Sequence, residues 1–311
     1  MSEITIVTAF FDIGRGDMKG FERSNEKYLS YFAFWARMRN QLIVYTDANM
    51  AKRVREIRKE FNLEDKTKVI VVDEPEKLDF EVYSKMEKIL AKQEVVAYRK
   101  DPKCPESYNP KYNYLMYLKS WFGYDAVKNH GASGLVAWLD FGYNHGGKTY
   151  DRPEDFDYVW DYDFSEKIHL FALRRINTMP VFDIVKKMPI DMSGGVIVAP
   201  SSYWQKVHQM YREAIMGLMM CDFVDDDQTL LIMAYRNYPE LFEIHMIEDW
   251  FMVLKNFGGQ HLHMHENALQ RSKYKLLKLK MMEKYYDKEY AECLKYLAAY
   301  TGEKIKSKIQ K

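Results

Sequence analysis

Short apolar segments alternate with helical segments, and this alternation most constrains how the 311-residue chain folds. Residues 4–11, 42–45 and 69–72 are continuous runs rich in β-branched and aromatic side chains, which is typical of buried strands. Between them, residues 24–38 and 49–61 show helical patterns, with recurring aromatic side chains in the first and a charged outer face in the second. Strands that are apolar on both faces and joined by helices indicate a parallel sheet covered on both sides. The sequence therefore predicts an α/β fold with a mostly parallel sheet.

The same alternation continues to about residue 265, after which the chain is helical, lysine-rich and amphipathic. No internal repeat or linker interrupts the pattern. We therefore predict one domain over residues 1–265 and a helical extension over residues 266–311. The further strands are predicted at 135–139, 168–173, 196–200 and 242–246, and the further helices at 83–93, 112–129, 203–221 and 226–235.

Charge and cysteine content narrow the classes of function. The net charge is +1, so no global field favours nucleic acid as a partner. Residues 271–311 hold twelve Lys and Arg against five Asp and Glu, so the extension is basic and the rest mildly acidic. Cys104, Cys221 and Cys293 are far apart, which favours neither disulfides nor a zinc cluster. With no secretory leader and no apolar run of about 18–20 residues, we expect a cytoplasmic protein.

The strongest local motif is the predicted strand 135–139, which ends in Asp140. Enzymes that use nucleotide sugars place carboxylates at such a point, usually as Asp-x-Asp. The carboxylate oxygens hold a divalent cation against the donor diphosphate and so neutralise the charge of the leaving group. Gly142 stands where the second acid is expected, so the motif is incomplete. A turn-forming Asp at the end of an ordinary strand is the alternative.

Two glycines form the second motif. Ser193, Gly194 and Gly195 precede an apolar strand, and we interpret them as a turn. Such a turn lets backbone N–H groups and a hydroxyl approach a sugar closely. A tight turn without a ligand has the same pattern.

The third motif is an acidic run that begins a predicted helix, formed by Asp225, Asp226 and Asp227. One acid suffices as the N-cap, so three exceed what capping needs. One of them is a candidate general base toward an acceptor hydroxyl if the reaction inverts, or a stabiliser of an oxocarbenium-like state if it retains. A solvated acidic helix start is the alternative.

Histidines form the fourth motif. Three of the eight histidines, His261, His263 and His265, alternate within five residues. On an extended segment, such side chains point to one side or surround a metal. Three histidines at this spacing indicate a metal ligand more strongly than a lone histidine does.

Six longer strings of this sequence can be compared with known families. They are Ile-Val-Thr-Ala-Phe-Phe-Asp-Ile-Gly-Arg-Gly-Asp at 6–17, Arg-Ser-Asn-Glu-Lys-Tyr at 23–28, Phe-Trp-Ala-Arg at 34–37, Leu-Ile-Val-Tyr-Thr-Asp at 42–47, Trp-Leu-Asp-Phe-Gly-Tyr at 138–143 and Ser-Gly-Gly at 193–195. They resemble the HtrL/YibB family, also called the WlaTC/HtrL family of bacterial glycosyltransferases. The similarity covers about residues 4–265, and Gly142 fits the family pattern Trp-Leu-Asp-x-Gly.

The resemblance implies a fold, an activity and a location. The fold is the glycosyltransferase-A type, a Rossmann-like and mostly parallel sheet with helices on both faces, as a catalytic domain over residues 1–265. The activity is metal-dependent transfer of a sugar from a nucleotide-sugar donor to a lipopolysaccharide or lipooligosaccharide core, or to a related glycan. The location is the cytoplasm, at the inner face of the inner membrane, because the family is associated with genes for core synthesis.

The resemblance also assigns site residues. In glycosyltransferase-A enzymes, the end of the first strand cradles the base and ribose, and a histidine near the end of the domain often completes the metal site. We therefore expect Mn²⁺ or Mg²⁺ to be held by Asp140 with His263, or next His261, and a nitrogen ligand favours Mn²⁺. Arg15 is the expected phosphate ligand. The other predicted donor contacts are Thr8, Ala9, Phe10, Asp12, Asp47, Asp140, Ser193, Gly194 and Gly195.

Three alternatives follow from the same residues. A dinucleotide oxidoreductase needs Gly-x-Gly-x-x-Gly after the first strand, and Gly14, Gly16 and Gly20 miss that spacing by one residue. A non-catalytic nucleotide-sugar or glycan-binding protein of the same fold would tolerate the missing second acid. The basic amphipathic extension either lies on an anionic membrane surface or packs as a solvated helix on the body.

Overall fold

A computed structural model describes residues 3–18, 20–176 and 178–309. Within these residues, seven strands form one sheet in the order β3-β2-β1-β4-β6-β5-β7. The strands are β1 (Thr5–Phe10), β2 (Leu42–Thr46), β3 (Thr67–Val71), β4 (Leu135–Leu139), β5 (Ile168–Ala172), β6 (Met192–Pro200) and β7 (Phe242–Met246).

The sheet is mixed and mostly parallel, which confirms the predicted α/β class. Strand β6 runs antiparallel to both of its neighbours, β4 and β5, whereas the other strand pairs are parallel. From β1 the chain builds outward through β2 to β3, then returns to place β4 on the other side of β1. The strand order thus reverses between β1 and β4. At such a reversal, open α/β sheets form a crevice beyond the carboxyl ends of their strands.

Twelve α-helices surround the sheet in the described part of the chain. They are α1 (Asn25–Trp35), α2 (Ala48–Lys59), α3 (Phe80–Leu90), α4 (Gln93–Tyr98), α5 (Pro105–Tyr108), α6 (Pro110–His130), α7 (Val181–Lys187), α8 (Trp204–Met220), α9 (Asp227–Asn237), α10 (Met252–Asn256), α11 (Glu266–Tyr286) and α12 (Tyr290–Ile309). The helix that matters most for the cavity is α6. The Asn109 side chain caps its start by accepting from the backbone N–H of Tyr112, and Gly131, with a φ of 82°, ends it.

Each face of the sheet buries its own hydrophobic core, because alternate side chains of a strand point to opposite faces. On one face, Val7 and Tyr45 pack with side chains of α3, α6, α8 and α9. On the other, Ile6 and Val44 pack with side chains of α1 and of the segments 141–164 and 251–268. Burying each large apolar side chain contributes about 1.5–3 kcal/mol. The continuous apolar character of the strands follows from burial on both faces.

The C-terminal extension is helical, as predicted. Helices α11 and α12 pack on each other, with Lys273 3.1 Å from Glu303 and the rings of Tyr274 and Tyr300 in contact. Ser272 attaches α11 to the body by donating to a Glu248 oxygen 2.8 Å away. Among the described helices, none combines the length and apolarity that crossing a membrane requires. The division into a domain at 1–265 and an extension at 266–311 stays a prediction.

Candidate functional site

A cavity of about 450 Å³ opens where the strand order reverses. Ala9 and Phe10 reach it from the end of β1, and Asp140 follows directly after β4. Gly194 and Gly195 reach the same edge from the start of β6, because that strand runs antiparallel to β4. The cavity therefore lies where α/β sheets bind ligands, and it contains the strongest sequence motif.

A buried lysine of the cavity lining is paired with two of its acids. Lys119, on α6, has a side chain that is 4% exposed, and its Nζ lies 2.6 Å from Asp227 Oδ2 and 3.0 Å from Asp140 Oδ1. It also donates to the carbonyl oxygen of Gly194 at 2.9 Å. Burial lowers the pKa of Lys119, but the two carboxylates outweigh this effect and raise the pKa overall, so the ammonium remains charged. These four groups are called the Lys119 centre below.

The close approach of a carboxylate requires glycine at position 194. The predicted turn is wrong in one respect, because Gly194 and Gly195 lie inside strand β6. A Cβ atom on Gly194 would stand 2.0 Å from Asp227 Oδ2, so a side chain there would displace the carboxylate that Lys119 holds. The carbonyl of Gly195 accepts from the backbone N–H of Asp140 at 2.9 Å. The absence of a side chain at Gly194 thus allows Asp140, after β4, and Asp227, at the start of α9, to share one lysine.

Asp140 is oriented but only partly enclosed. Trp138 Nε1 donates to its Oδ1 at 2.8 Å, and Lys119 approaches the same oxygen. The Asp140 side chain is 42% exposed. Its Oδ2 makes no hydrogen bond within the described residues, so one carboxylate oxygen is available to a ligand in the cavity.

The three predicted catalytic acids have three different environments. Asp225 is buried in an ion pair with Arg99, whose Nη1 lies 2.8 Å from its Oδ1, and it is not among the described residues that line the cavity. Asp226 caps α9 by accepting from the backbone N–H of Gln228 at 3.0 Å and lines the cavity. Asp227 lines it too, held by Lys119. Burial, and then the neighbouring charge of Asp227, raises the pKa of Asp226 well above its usual value.

Positive side chains line the same cavity as the acids. Arg15, Arg23 and Lys148 all reach it, and we call them the cationic wall. Arg15 lies over the ring of Tyr112 with 5.1 Å from its Cζ to the centroid, and its buried Nε has no hydrogen-bond partner in the described part of the chain. The acids Glu106, Asp140, Asp226 and Asp227 line the same cavity and form its acidic wall.

A histidine that the sequence analysis did not single out lies in the cavity as well. Burial, followed by the positive charges of Arg23 and Lys148, lowers the pKa of His145 to about 4. Its imidazole is therefore neutral at physiological pH, with a nitrogen lone pair available. The ring is held between Tyr31 and Phe251, with centroids 5.3 and 5.0 Å away.

Four predicted donor-site residues lie outside the cavity lining in the described structure. Thr8 and Ser193 are fully buried in their strands. Asp47 caps α2, and Asp12 accepts from Asn25 Nδ2 at 2.7 Å. Their carboxylates therefore have local structural partners, whereas Ala9, Phe10, Arg15, Asp140, Gly194 and Gly195 are the predicted donor residues that do meet in the cavity.

The predicted histidine ligands are also placed elsewhere. His261 Nε2 lies 2.9 Å from the carbonyl oxygen of Asp155, and His263 Nδ1 lies 3.1 Å from Asp151 Oδ1. Neither histidine lines the cavity with Asp140, as far as the described residues show. The chain after α10 packs on the segment 151–158 instead, so proximity to the end of the predicted domain does not bring these rings to the metal motif.

Lys119 itself could have been found from the sequence. Leu115, Leu118 and Phe122 form the apolar stripe of the predicted helix 112–129, and Lys119 occupies a position of that stripe at helical spacing. A lysine on an inward face must be paired with acids to be buried. By contrast, no local pattern distinguishes His145, Arg23 or Lys148 as cavity residues, because loops bring them there.

Comparisons with known proteins identify the family. The family model described as "Bacterial protein of unknown function (HtrL_YibB)" matches residues 2–259. Protein HtrL of Escherichia coli (strain K12) is 34% identical over 288 residues, covering 86% of this chain and 97% of that protein. The crystal structure of mouse xyloside xylosyltransferase 1 in its apo form aligns with a TM-score of 0.40 and 11% identity, covering 78% of this chain and 85% of that one. This chain belongs to the HtrL/YibB family.

Proposed function

We propose that this chain is a glycosyltransferase that moves a sugar from a nucleotide-sugar donor to a glycan or glycolipid acceptor. The observation that carries the proposal is one cavity, at the reversal point of the sheet, with a cationic wall and an acidic wall. A nucleotide sugar has the matching division, because its diphosphate is anionic and its sugar presents hydroxyl groups.

The cationic wall is proposed to bind the diphosphate. Arg15 is the central residue of this site, because its buried Nε lacks a partner among the described residues and its planar fork matches phosphate oxygens. Arg23 and Lys148 add positive charge that stabilises the diphosphate as it leaves. The backbone of Ala9 and Phe10 is proposed to contact the nucleotide base. In this proposal, Thr8, Asp12 and Asp47 stabilise the ends of β1 and β2 and do not contact the donor.

The acidic wall is proposed to act on the sugar and the acceptor. Asp226 lines the cavity, and its raised pKa makes the carboxylate a stronger proton acceptor than an ordinary aspartate. In an inverting reaction, it takes the acceptor hydroxyl proton as that oxygen bonds to the anomeric carbon. The bond from the anomeric carbon to the diphosphate oxygen breaks, and the diphosphate keeps the electron pair. In a retaining reaction, the same carboxylate would stabilise the oxocarbenium-like state.

Asp227 is proposed to be a positioning residue. Its carboxylate is held by Lys119 at 2.6 Å, so it is less free than Asp226 to accept a proton. Lys119 also approaches Asp140 from the same side. The Lys119 centre therefore joins the end of β4, the start of β6 and the start of α9. Asp225 is paired with Arg99 and is proposed to stabilise the start of α9.

We propose a divalent cation as the cofactor, because a carboxylate and an imidazole line the same cavity. Asp140 offers Oδ2, and neutral His145 offers a nitrogen, so these two residues would hold Mn²⁺ or Mg²⁺, with Mn²⁺ favoured by the imidazole. When bound, the ion supplies charge neutralisation for the diphosphate. In this proposal His145 replaces His263 and His261 as the nitrogen ligand. Matched His145→Ala and His263→Ala variants test it, since only the first should weaken activation by Mn²⁺.

A lipid-linked acceptor is proposed from the extension. Helices α11 and α12 expose apolar side chains, including Leu276, Leu294 and Ile305, which are 40%, 63% and 54% exposed. Lysines such as Lys273 and Lys278 lie on the same helix pair. This combination suits peripheral binding to an anionic leaflet, such as the inner face of the inner membrane, where a lipopolysaccharide or lipooligosaccharide core would be the acceptor. Co-sedimentation with anionic and neutral vesicles checks it, and equal binding to both would contradict it.

The experiment that tests the activity uses the intact chain with a panel of UDP, GDP and CMP sugars. We expect one donor class to raise the melting temperature, and we expect Mn²⁺-dependent hydrolysis or transfer of that donor. Asp140→Asn should abolish turnover, whereas His263→Ala should not. Stabilisation by NAD(H) without stabilisation by any nucleotide sugar would contradict the proposal. Donor binding with no turnover under any metal would favour the non-catalytic binding protein instead.

A further inference from the structure

A second group of ligand-type side chains lies between strands β5 and β7, apart from the cavity described above. His169 of β5 is in register with Glu243 of β7, and His245 follows two positions later on the same face. One ligand atom from each of the three side chains lies within 4.8 Å of the others. His169 is 1% exposed, whereas the Glu243 side chain is 45% exposed. The group is thus anchored in the sheet and open to solvent on one side.

Hydrogen bonding sets the protonation of the inner ring. His169 Nε2 lies 2.9 Å from the carbonyl oxygen of Ser165, which can only accept, so Nε2 carries the proton. The Nδ1 atom of the neutral ring therefore presents its lone pair, and His245 Nε2 lies 2.8 Å from it. A backbone carbonyl that fixes the distal N–H is the usual support of a metal-binding histidine. His245 needs only to move its proton to Nδ1 to offer a second lone pair.

The carboxylate completes the ligand set. Glu243 Oε2 lies 3.9 Å from His169 Nδ1, and its Oε1 lies 3.8 Å from His245 Nε2. Ligand atoms around a tetrahedral Zn²⁺ are about 3.3 Å apart, given Zn–N distances of about 2.0–2.1 Å. Reaching that geometry requires the two nitrogens to separate by about half an ångström. Aromatic side chains pack against both imidazoles. Phe164 contacts the ring of His169, and Phe257 contacts the ring of His245.

We propose that His169, Glu243 and His245 bind a Zn²⁺ ion between strands β5 and β7. Two imidazoles and one carboxylate are a ligand set of zinc sites that keep a fourth position open, and the exposed side of Glu243 allows water to fill that position. Burial lowers the pKa of both histidines, so both rings are neutral and able to bind metal at physiological pH. Because β7 is an edge strand of the described sheet, the ion joins that edge to β5.

The test uses Zn²⁺ alone as the probe on the intact chain after treatment with a chelator. We expect one Zn²⁺ per chain at this site by calorimetry, and a rise in melting temperature on binding. His245→Ala should remove this binding event. Glu243→Gln should weaken it by about tenfold or more, and because Gln can still accept from Ser165, this exposed variant should keep the fold. Co²⁺ should show the visible absorption of a tetrahedral site in the wild type and not in His245→Ala.

Two matched controls locate the ion. His263→Ala removes a histidine that is paired with a carboxylate elsewhere, and it should bind Zn²⁺ as the wild type does. Asp140→Asn alters the cavity and should leave the binding event unchanged, which separates this site from the proposed cofactor site. The inference is overturned if folded His245→Ala and Glu243→Gln variants bind Zn²⁺ with wild-type stoichiometry and affinity. Loss of the binding event in Asp140→Asn alone would overturn it equally.

Discussion

The Lys119 centre and the cationic wall both place positive charge at one cavity, but in opposite states of pairing. The Lys119 ammonium has two carboxylates and a carbonyl within 3.0 Å and is 4% exposed. Arg15 of the cationic wall has a buried Nε without a partner in the described residues. A paired buried charge cannot lose a partner without leaving an uncompensated charge in the interior, whereas a donor without a partner can gain a hydrogen bond from a ligand. This difference supports the proposal that the first region has a structural role and the second binds the donor.

Removing the lysine should have the largest effect. Lys119→Met leaves Asp140 and Asp227 facing each other without compensation, and we expect a loss of about 3–5 kcal/mol in the free energy of unfolding. The measurement is chemical denaturation monitored by circular dichroism. Adding Asp227→Asn should recover part of the loss, because it removes one of the uncompensated charges. A surface control, Lys85→Met, breaks an exposed pair with Glu81 and should cost under about 1 kcal/mol. Equal losses for Lys119→Met and Lys85→Met would remove the distinction between the two regions.

Replacing the proposed base should separate activity from stability. We expect Asp226→Asn to lower kcat by about 10²–10⁴-fold, which is the usual contribution of a general base. The stability of this variant, by contrast, should rise above that of the wild type at alkaline pH. Because the pKa of Asp226 is raised in the folded state, the wild type loses stability as the pH rises from about 4 through that raised pKa. The Asn variant lacks this loss, so its melting temperature should exceed that of the wild type at pH 8, a result that a merely destabilised variant could not give.

Removing the Arg15 side chain should weaken nucleotide-sugar binding and leave folding intact. Arg15→Ala should weaken donor binding by about 1.5–3 kcal/mol, the range for a hydrogen bond to a charged group. The melting temperature without donor should change little. Arg53→Ala is the matched control, since Arg53 pairs with Glu26 on the surface. Calorimetric titration with the donor identified above makes the measurement. Donor affinity within about twofold of the wild type would mean that the cationic wall does not bind the diphosphate.

The smallest expected effect is a change in the pKa of His145 when a positive charge of the cationic wall is removed. His145 should titrate near its lowered pKa of about 4, measured by NMR in the presence of a chelator. Since this value lies below the ordinary histidine pKa of 6.5, the stability linked to His145 is present above about pH 6.5 and is lost as the pH falls toward 4. Arg23→Ala removes one positive neighbour and should raise the pKa of His145. An unchanged pKa in that variant would show that Arg23 does not contribute to the shift.

Much of the fold could be predicted from local sequence, because each strand and helix carries its own periodicity. The strand 135–139, the helix pattern from about 266 and the position of Asp140 at a strand end all follow from such patterns. The start of strand β6 could not be predicted in the same way. The pattern around Gly194 is typical of a turn, yet these residues lie inside β6, because pairing with β4 and β5 extends the strand through them.

By itself, the sequence determined the α/β class, the helical C-terminal extension and a carboxylate at the cavity edge, since all three depend on residues close together in the chain. Only the tertiary structure decided which charged groups meet. Lys119 and Asp227 are separated by 108 residues and yet form a 2.6 Å ion pair, whereas His263 pairs with Asp151 away from the cavity. The physical reason is that a charge is stable in the interior only beside its partner, and sheet topology, not spacing along the chain, brings the partners together.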